Sequence, residues 1–117
     1  MSKESVSWQD ALTRLKAGNE NFVADKLDGK LQNSERRSEL TGGQKPYAII
    51  LSCADSRVVP ELAFDSGLGE IFVIRVAGNT ANTSSIASIE YAVAHLGVNL
   101  IVVLGHESCG AVTAAIA

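Results

Sequence analysis

Cysteine is scarce in this chain of 117 residues: only Cys53 and Cys109 are present. Two thiols are too few for a disulfide-built scaffold, and in a reducing compartment they point to metal binding or catalysis before a disulfide. An excess of positive charge is also missing. Ten Lys and Arg face thirteen Asp and Glu, a formal charge of −3. With a pI near 5.3, nucleic acid is excluded as the main partner. The one adjacent basic pair, Arg36-Arg37, reads as the solvated face of a polar helix. No segment approaches the roughly 18 apolar residues that span a bilayer. The opening Met1-Ser2-Lys3-Glu4 leads into a polar helix and not into an apolar signal core. The expectation is a soluble, cytoplasmic protein without a membrane partner. Internal repeats and low-complexity stretches are absent. The composition is 46% hydrophobic and 20% charged, which supports a packed core of about one domain.

The apolar residues are arranged in two periods. Trp8, Ala11, Leu12, Leu15, Phe22 and Val23 recur at helical spacing. They predict a one-sided helix from about Trp8 to about Asp25, capped by Ser7 with Asp10 completing a loose capping box. A polar link, Leu27 to Asn33, and a short charged helix, Ser34 to Leu40, follow and stop at Gly42-Gly43. Tyr47 to Ser52 is a continuous apolar run, as expected of a strand buried on both faces. Pro60 opens a short helix through Phe64. Ile71 to Val76 and Leu100 to Leu104 read as two further buried strands. Between them, Ile86, Ile89, Val93 and Leu96 mark a helix capped by Thr83 or Ser84 and ended by Gly97. A last helix starts near Ser108. Strands alternating with helices imply an α/β fold, a parallel sheet with right-handed crossovers. Residues 1–117 read as a single α/β domain, with 1–33 as an N-terminal helical arm. The alanine-rich, uncapped stretch Ala111 to Ala117 suggests a domain that lacks its C-terminal portion.

Cys53 directly follows the first strand, His106 follows the third, and Cys109 comes three residues later. Two thiolates and an imidazole suit Zn²⁺, one ion per chain. Three protein ligands leave a fourth tetrahedral position open, which is the catalytic pattern. In an open parallel sheet such sites sit at the carboxyl ends of the strands, at a topological switch point. The ends of strands one and three meet there if the strand order is 2-1-3. Two thiolates also weaken the metal as a Lewis acid, so a bound water needs help to ionise. A helix N-terminus near Cys109 favours its thiolate. Taken alone, Cys53 reads as a small buried hydrophobe, and His95 reads as a surface residue. Asp55 and Arg57 lie on the loop after Cys53. As an exposed ion pair they contribute little. Beside an open metal position they form a switch: Asp55 on the metal closes the site, and Asp55 held by Arg57 leaves the water in place.

Cys53-Ala54-Asp55-Ser56-Arg57, followed by Gly105-His106-Glu107-Ser108-Cys109-Gly110, resembles the β-class carbonic anhydrases. So do the stretches Ile71 to Asn79 and Ser88 to Val93. The resemblance implies zinc on Cys53, His106 and Cys109, with Asp55 and Arg57 as a catalytic dyad, and hydration of carbon dioxide to bicarbonate by a zinc-activated water. Gln44 matches a substrate-binding glutamine of part of that family. Phe72 and Tyr91 match pocket residues that come from a neighbouring subunit, and Gly110 matches a glycine whose backbone lines the site. A homodimer or higher homo-oligomer is therefore implied. A second branch of the family carries a non-catalytic bicarbonate site built on a tryptophan. Ile50 stands at that position here, although Arg75 matches that site's arginine. The branch with an open site is the one resembled, so Asp55 is expected off the metal near neutral pH. Members of the family continue well beyond the length present here. Two alternatives remain open: a zinc-binding scaffold without turnover, and a hydrolase of a related substrate such as carbon disulfide or carbonyl sulfide.

Overall fold

The computed structural model describes residues 5–117; the lead-in expected at Met1 to Glu4 lies outside them. Three parallel strands form the centre: β1 (Ala48–Ser52), β2 (Ile71–Arg75) and β3 (Ile101–Leu104), in the order β2-β1-β3. Every residue of β1 is buried, as its uninterrupted apolar run requires of a strand flanked on both edges and both faces. The pleat divides the core in two. Ala48, Ile50 and Ile71 pack with Ala11 and Leu15 on one face, and Ile49 packs with Ala92 and Val98 on the other. The first face is covered by α1 (Trp8–Val23) and the second by α4 (Thr83–Leu96). Shorter helices complete the chain: α2 (Ser34–Glu39), α3 (Pro60–Ala63) and α5 (Gly110–Ile116), with a 3-10 turn at Ala77–Asn79.

Local chemistry fixes the helix ends. Ser7 Oγ accepts from Asp10 N at 3.1 Å, which starts α1. The cap of α4 is Asn82, one residue before the expected Thr83 or Ser84. Asn82 Oδ1 accepts from Ser85 N at 2.9 Å and Ser85 Oγ accepts from Asn82 N at 2.7 Å, a reciprocal box with serine in place of the usual Glu or Gln. Gly97, at φ 68°, ends α4. The last helix begins at Gly110, later than expected, because Ser108 turns through φ 57° and Cys109 is the cap.

Burial departs from expectation at three elements. β2, an edge strand, buries only Ile71 of its five residues. β3 is not buried on both faces: Ile101 and Val103 remain 47% and 60% exposed. It is an edge strand, and neither residue belongs to the core packed under α4. In α1 only Ala11, Leu15 and Gly18 are buried, while Trp8, Phe22 and Val23 stay exposed. The apolar stripe is longer than the surface beneath it.

Several contacts attach the N-terminal region to the sheet layer, among them two at the end of α3. Gly18 lets α1 touch the end of α3: a Cβ there would lie 1.8 Å from the Phe64 carbonyl oxygen. Asp65, at φ 48°, directs its carboxylate back at the polar link. It accepts from Asn21 Nδ2 at 2.9 Å, Asp28 N at 2.9 Å and Gly29 N at 3.2 Å. These donors, the Asp28 amide foremost, hold its pKa below the ordinary value.

Gly18→Ala should therefore lower stability by about 1–3 kcal/mol, read as a lower urea midpoint. Asp65→Ala should speed tryptic cleavage at Lys26 and Lys30 while the sheet stays folded. The folded Asp65 titrates below the unfolded one, so its contribution is complete above the unfolded value. It fades as pH falls through the lowered folded value. The gap in urea midpoint between wild type and Asp65→Asn should close in that acid range.

Candidate metal centre

The site follows from strand order. β1 and β3 are parallel neighbours, so the residues leaving their carboxyl ends must meet. Cys53 leaves β1 and His106 leaves β3, and the left-handed turn at Ser108 brings Cys109 back towards them. The sulfurs of Cys53 and Cys109 stand 3.7 Å apart, too far for a disulfide bond, whose length is about 2.05 Å. Both thiols are free and buried. The two sulfurs and a ring nitrogen of His106 all lie within 4.8 Å of one another.

The histidine is oriented for a metal. Its Nδ1 lies 2.9 Å from the carbonyl oxygen of Glu107. A carbonyl can only accept, so Nδ1 carries a proton, and in the neutral ring Nε2 presents a lone pair. That Nε2 is buried without a hydrogen-bond partner. A buried, unpartnered lone pair facing two thiols is the arrangement a cation would satisfy. Cys53, His106 and Cys109 could hold a metal ion.

Charge is tuned around this triangle. The His106 imidazole pulls the Cys53 thiol down to about 6, helped next by the amides of Gly78 and Asp55. Gly78 N donates to Cys53 Sγ at 3.2 Å. In turn the Cys53 thiolate and the Glu107 carbonyl raise the pKa of His106. Gly78 had no assigned role in the sequence. Its signal was a glycine just past β2, where φ 75° allows the amide to turn towards the sulfur. Asp55 lies alongside but is already engaged. Oδ1 accepts from Arg57 N at 2.8 Å and Nε at 3.0 Å, and Oδ2 from Nη2 at 2.7 Å. This fork holds the Asp55 carboxyl far below the usual carboxylate range. Oδ2 is 3.8 Å from His106 Nε2. The carboxylate is 11% exposed and Arg57 is 71% exposed, so the pair runs from the metal triangle out to solvent.

Gly110 follows Cys109 as the first residue of α5, so it too belongs to this end of the sheet. Gln44 does not. It precedes β1 whereas Cys53 follows it, and five strand residues, about 16 Å, intervene. Phe72 pairs with Ile49 in the register, well back along the sheet. Its ring lies 6.0 Å from that of Tyr91, which stacks on His95 at 5.6 Å. His95 is exposed, as expected of a surface residue. One chain thus joins Cys53, Asp55, Arg57, His106, Cys109 and Gly110, and leaves Gln44, Phe72 and Tyr91 elsewhere.

Comparison with known proteins gives a consistent picture. Residues 48–117 match the family model described as carbonic anhydrase. The chain is 55% identical over 103 residues to carbonic anhydrase 2 of Mycobacterium tuberculosis, covering 88% of this chain and 50% of that protein. Among solved structures, a Coccomyxa β-carbonic anhydrase in complex with acetazolamide superposes with a TM-score of 0.66 at 32% identity, over 91% of this chain and 48% of that one. A tetrameric β-carbonic anhydrase from Sordaria macrospora gives 0.67 at 31% identity, over 92% and 55%. The chain spans about half the length of the curated relatives it matches.

A metal on these three residues should raise thermal stability, by about 2.7 kcal/mol at a free concentration a hundred times its Kd. Calorimetry with and without chelator would measure it. Cys53→Ser should abolish the difference.

Proposed function

This chain belongs to the carbonic anhydrase family, and from that premise we propose that its Cys53–His106–Cys109 centre takes up zinc and hydrates carbon dioxide to bicarbonate. The observation that carries the reading is the unpartnered, buried Nε2 of His106 facing two free thiols. Two soft sulfurs and an imidazole favour Zn²⁺ over harder cations. Bound there, zinc would supply the Lewis acidity that makes water a nucleophile at neutral pH.

The chain's own groups do the rest. Glu107 fixes the tautomer of His106, and the Gly78 amide favours Cys53 as thiolate. Asp55 stays ionised because Arg57 grips both of its oxygens. It can therefore accept a hydrogen bond from a reacting water without becoming a metal ligand itself near neutral pH. Arg57 reaches solvent, where the released proton must go. Gly110, next to Cys109, would line the substrate pocket with backbone.

Gln44, Phe72 and Tyr91 are too far from this chain's own centre to touch its substrate. If they contact bicarbonate or carbon dioxide, they do so in the pocket of a second copy, so a homo-oligomer is part of the proposal. The tetrameric Sordaria relatives support it. A cytoplasmic setting, where thiols stay reduced, suits two free cysteine ligands.

Stopped-flow hydration of carbon dioxide tests the function. The zinc-loaded protein should turn over and the chelated protein should not. Asp55→Ala should retain zinc and lose about 100-fold in kcat. Full zinc loading without hydration would overturn the assignment, and a fully active Asp55→Ala would overturn the role given to the dyad.

A further inference from the structure

Arg75 is the last residue of β2, opposite Ser52 of β1. Among the described residues it has no carboxylate partner. Its guanidinium is instead spent on backbone. Nε donates to the carbonyl oxygen of Cys53 at 2.8 Å, and Nη2 donates to those of Asp55 at 2.5 Å and Val58 at 2.8 Å. All three carbonyls belong to the loop that carries Cys53, Asp55 and Arg57.

The loop needs such a tie. It leaves the sheet directly after Ser52, and its sharp turn points several carbonyls the same way. Only the Asp55 carbonyl also receives a loop amide, from Val58 at 3.1 Å. Unmet carbonyls are costly away from water. The bonds between Asp55 and Arg57 lie wholly within the loop and so cannot hold it against the strands. Arg75 can, because it is rooted in β2. Two nitrogens of one rigid plane bind acceptors on both sides of the turn, which a single ammonium cannot do.

We propose that Arg75 is a positioning residue of the metal centre: its guanidinium staples the Cys53–Val58 backbone to the end of β2 and thereby sets where the Cys53 sulfur and the Asp55 carboxylate stand. This rests on the reading of Cys53, His106 and Cys109 as metal ligands. Arg75 touches neither a ligand atom nor the Asp55 carboxylate. Its effect passes through the loop backbone alone.

The test uses the full chain and needs no turnover. Zinc affinity is measured by competition with a chromophoric chelator. Amide exchange and thermal midpoint are measured on the metal-free protein. Arg75→Gln and Arg75→Lys should both weaken zinc binding by about 10–100-fold, as changes in groups that orient ligands do. Exchange should accelerate at residues 54–58 and stay slow through β1, with little change in midpoint. Wild-type affinity and exchange in Arg75→Gln would overturn the proposal. So would full rescue by Arg75→Lys, which would leave only a charge effect. A loss of affinity matched by faster exchange throughout β1 and a parallel fall in midpoint would reduce Arg75 to a merely structural residue and overturn it too. Absence of carbon dioxide hydration in the wild type would sink the proposed activity and leave these measurements standing.

Discussion

The parallel pairing of β1 with β3 is the constraint from which the centre follows. Leu51 lies beside Val103 and Ser52 beside Leu104. Each chain segment that leaves these neighbours enters the same space, so Cys53 and His106 are brought together by the sheet and not by any affinity of their own. Antiparallel pairing would send the two ends to opposite sides of the molecule. The buried β1, clamped between two strands and two helices, gives the Cys53 end its rigidity. The 3-10 turn after β2 adds the Gly78 amide from the other neighbour. All three strands therefore contribute at their carboxyl ends, as expected for an open parallel sheet.

What the sheet assembles would be unfavourable without charge compensation. Two buried sulfurs 3.7 Å apart cannot both become thiolates unless something positive joins them. Part of the compensation is built in. His106 and two amides already favour the Cys53 thiolate, and α5 starts immediately after Cys109. The remainder matches a divalent cation. Asp55 is the nearby anion, and Arg57 holds both of its oxygens in a fork. The same contact keeps the carboxylate ionised, so one arginine sets both its charge and its direction.

How far this was legible in the sequence depends on the range of each signal. The apolar run at Tyr47 to Ser52, the Gly97 stop and the Ser7 cap are local, and each lies within a residue or so of its observed place. The order β2-β1-β3 came from pairing ligand positions with the rule for parallel sheets, and it is the order found. The Asn82 cap was missed because serine at the third helical position replaced the expected Glu or Gln. The exposure of Ile101 and Val103 was missed because their composition is that of a buried strand; what covers a strand is a property of the assembly, not of its residues. The staple made by Arg75 joins residues more than one element apart, and no periodicity reports it.

Gln44, Phe72 and Tyr91 lie away from the carboxyl ends of the strands. A site confined to one chain would need its polar donor and its aromatic wall near the carboxyl ends of the strands. Here the glutamine lies at the opposite end of β1, and the two rings pair on the α4 face. No side-chain rotation brings Gln44 to Cys53, since about 16 Å of strand intervenes. If these groups serve such a centre, a second copy has to present them. An isologous pair does so twice at once, because each copy then offers its far end to the other's strand ends. On that reading the metal and its dyad belong to one chain and the pocket wall to another. Tyr91, Ile86 and Val93 on α4 are each 46% exposed, so that surface is free for such a pairing.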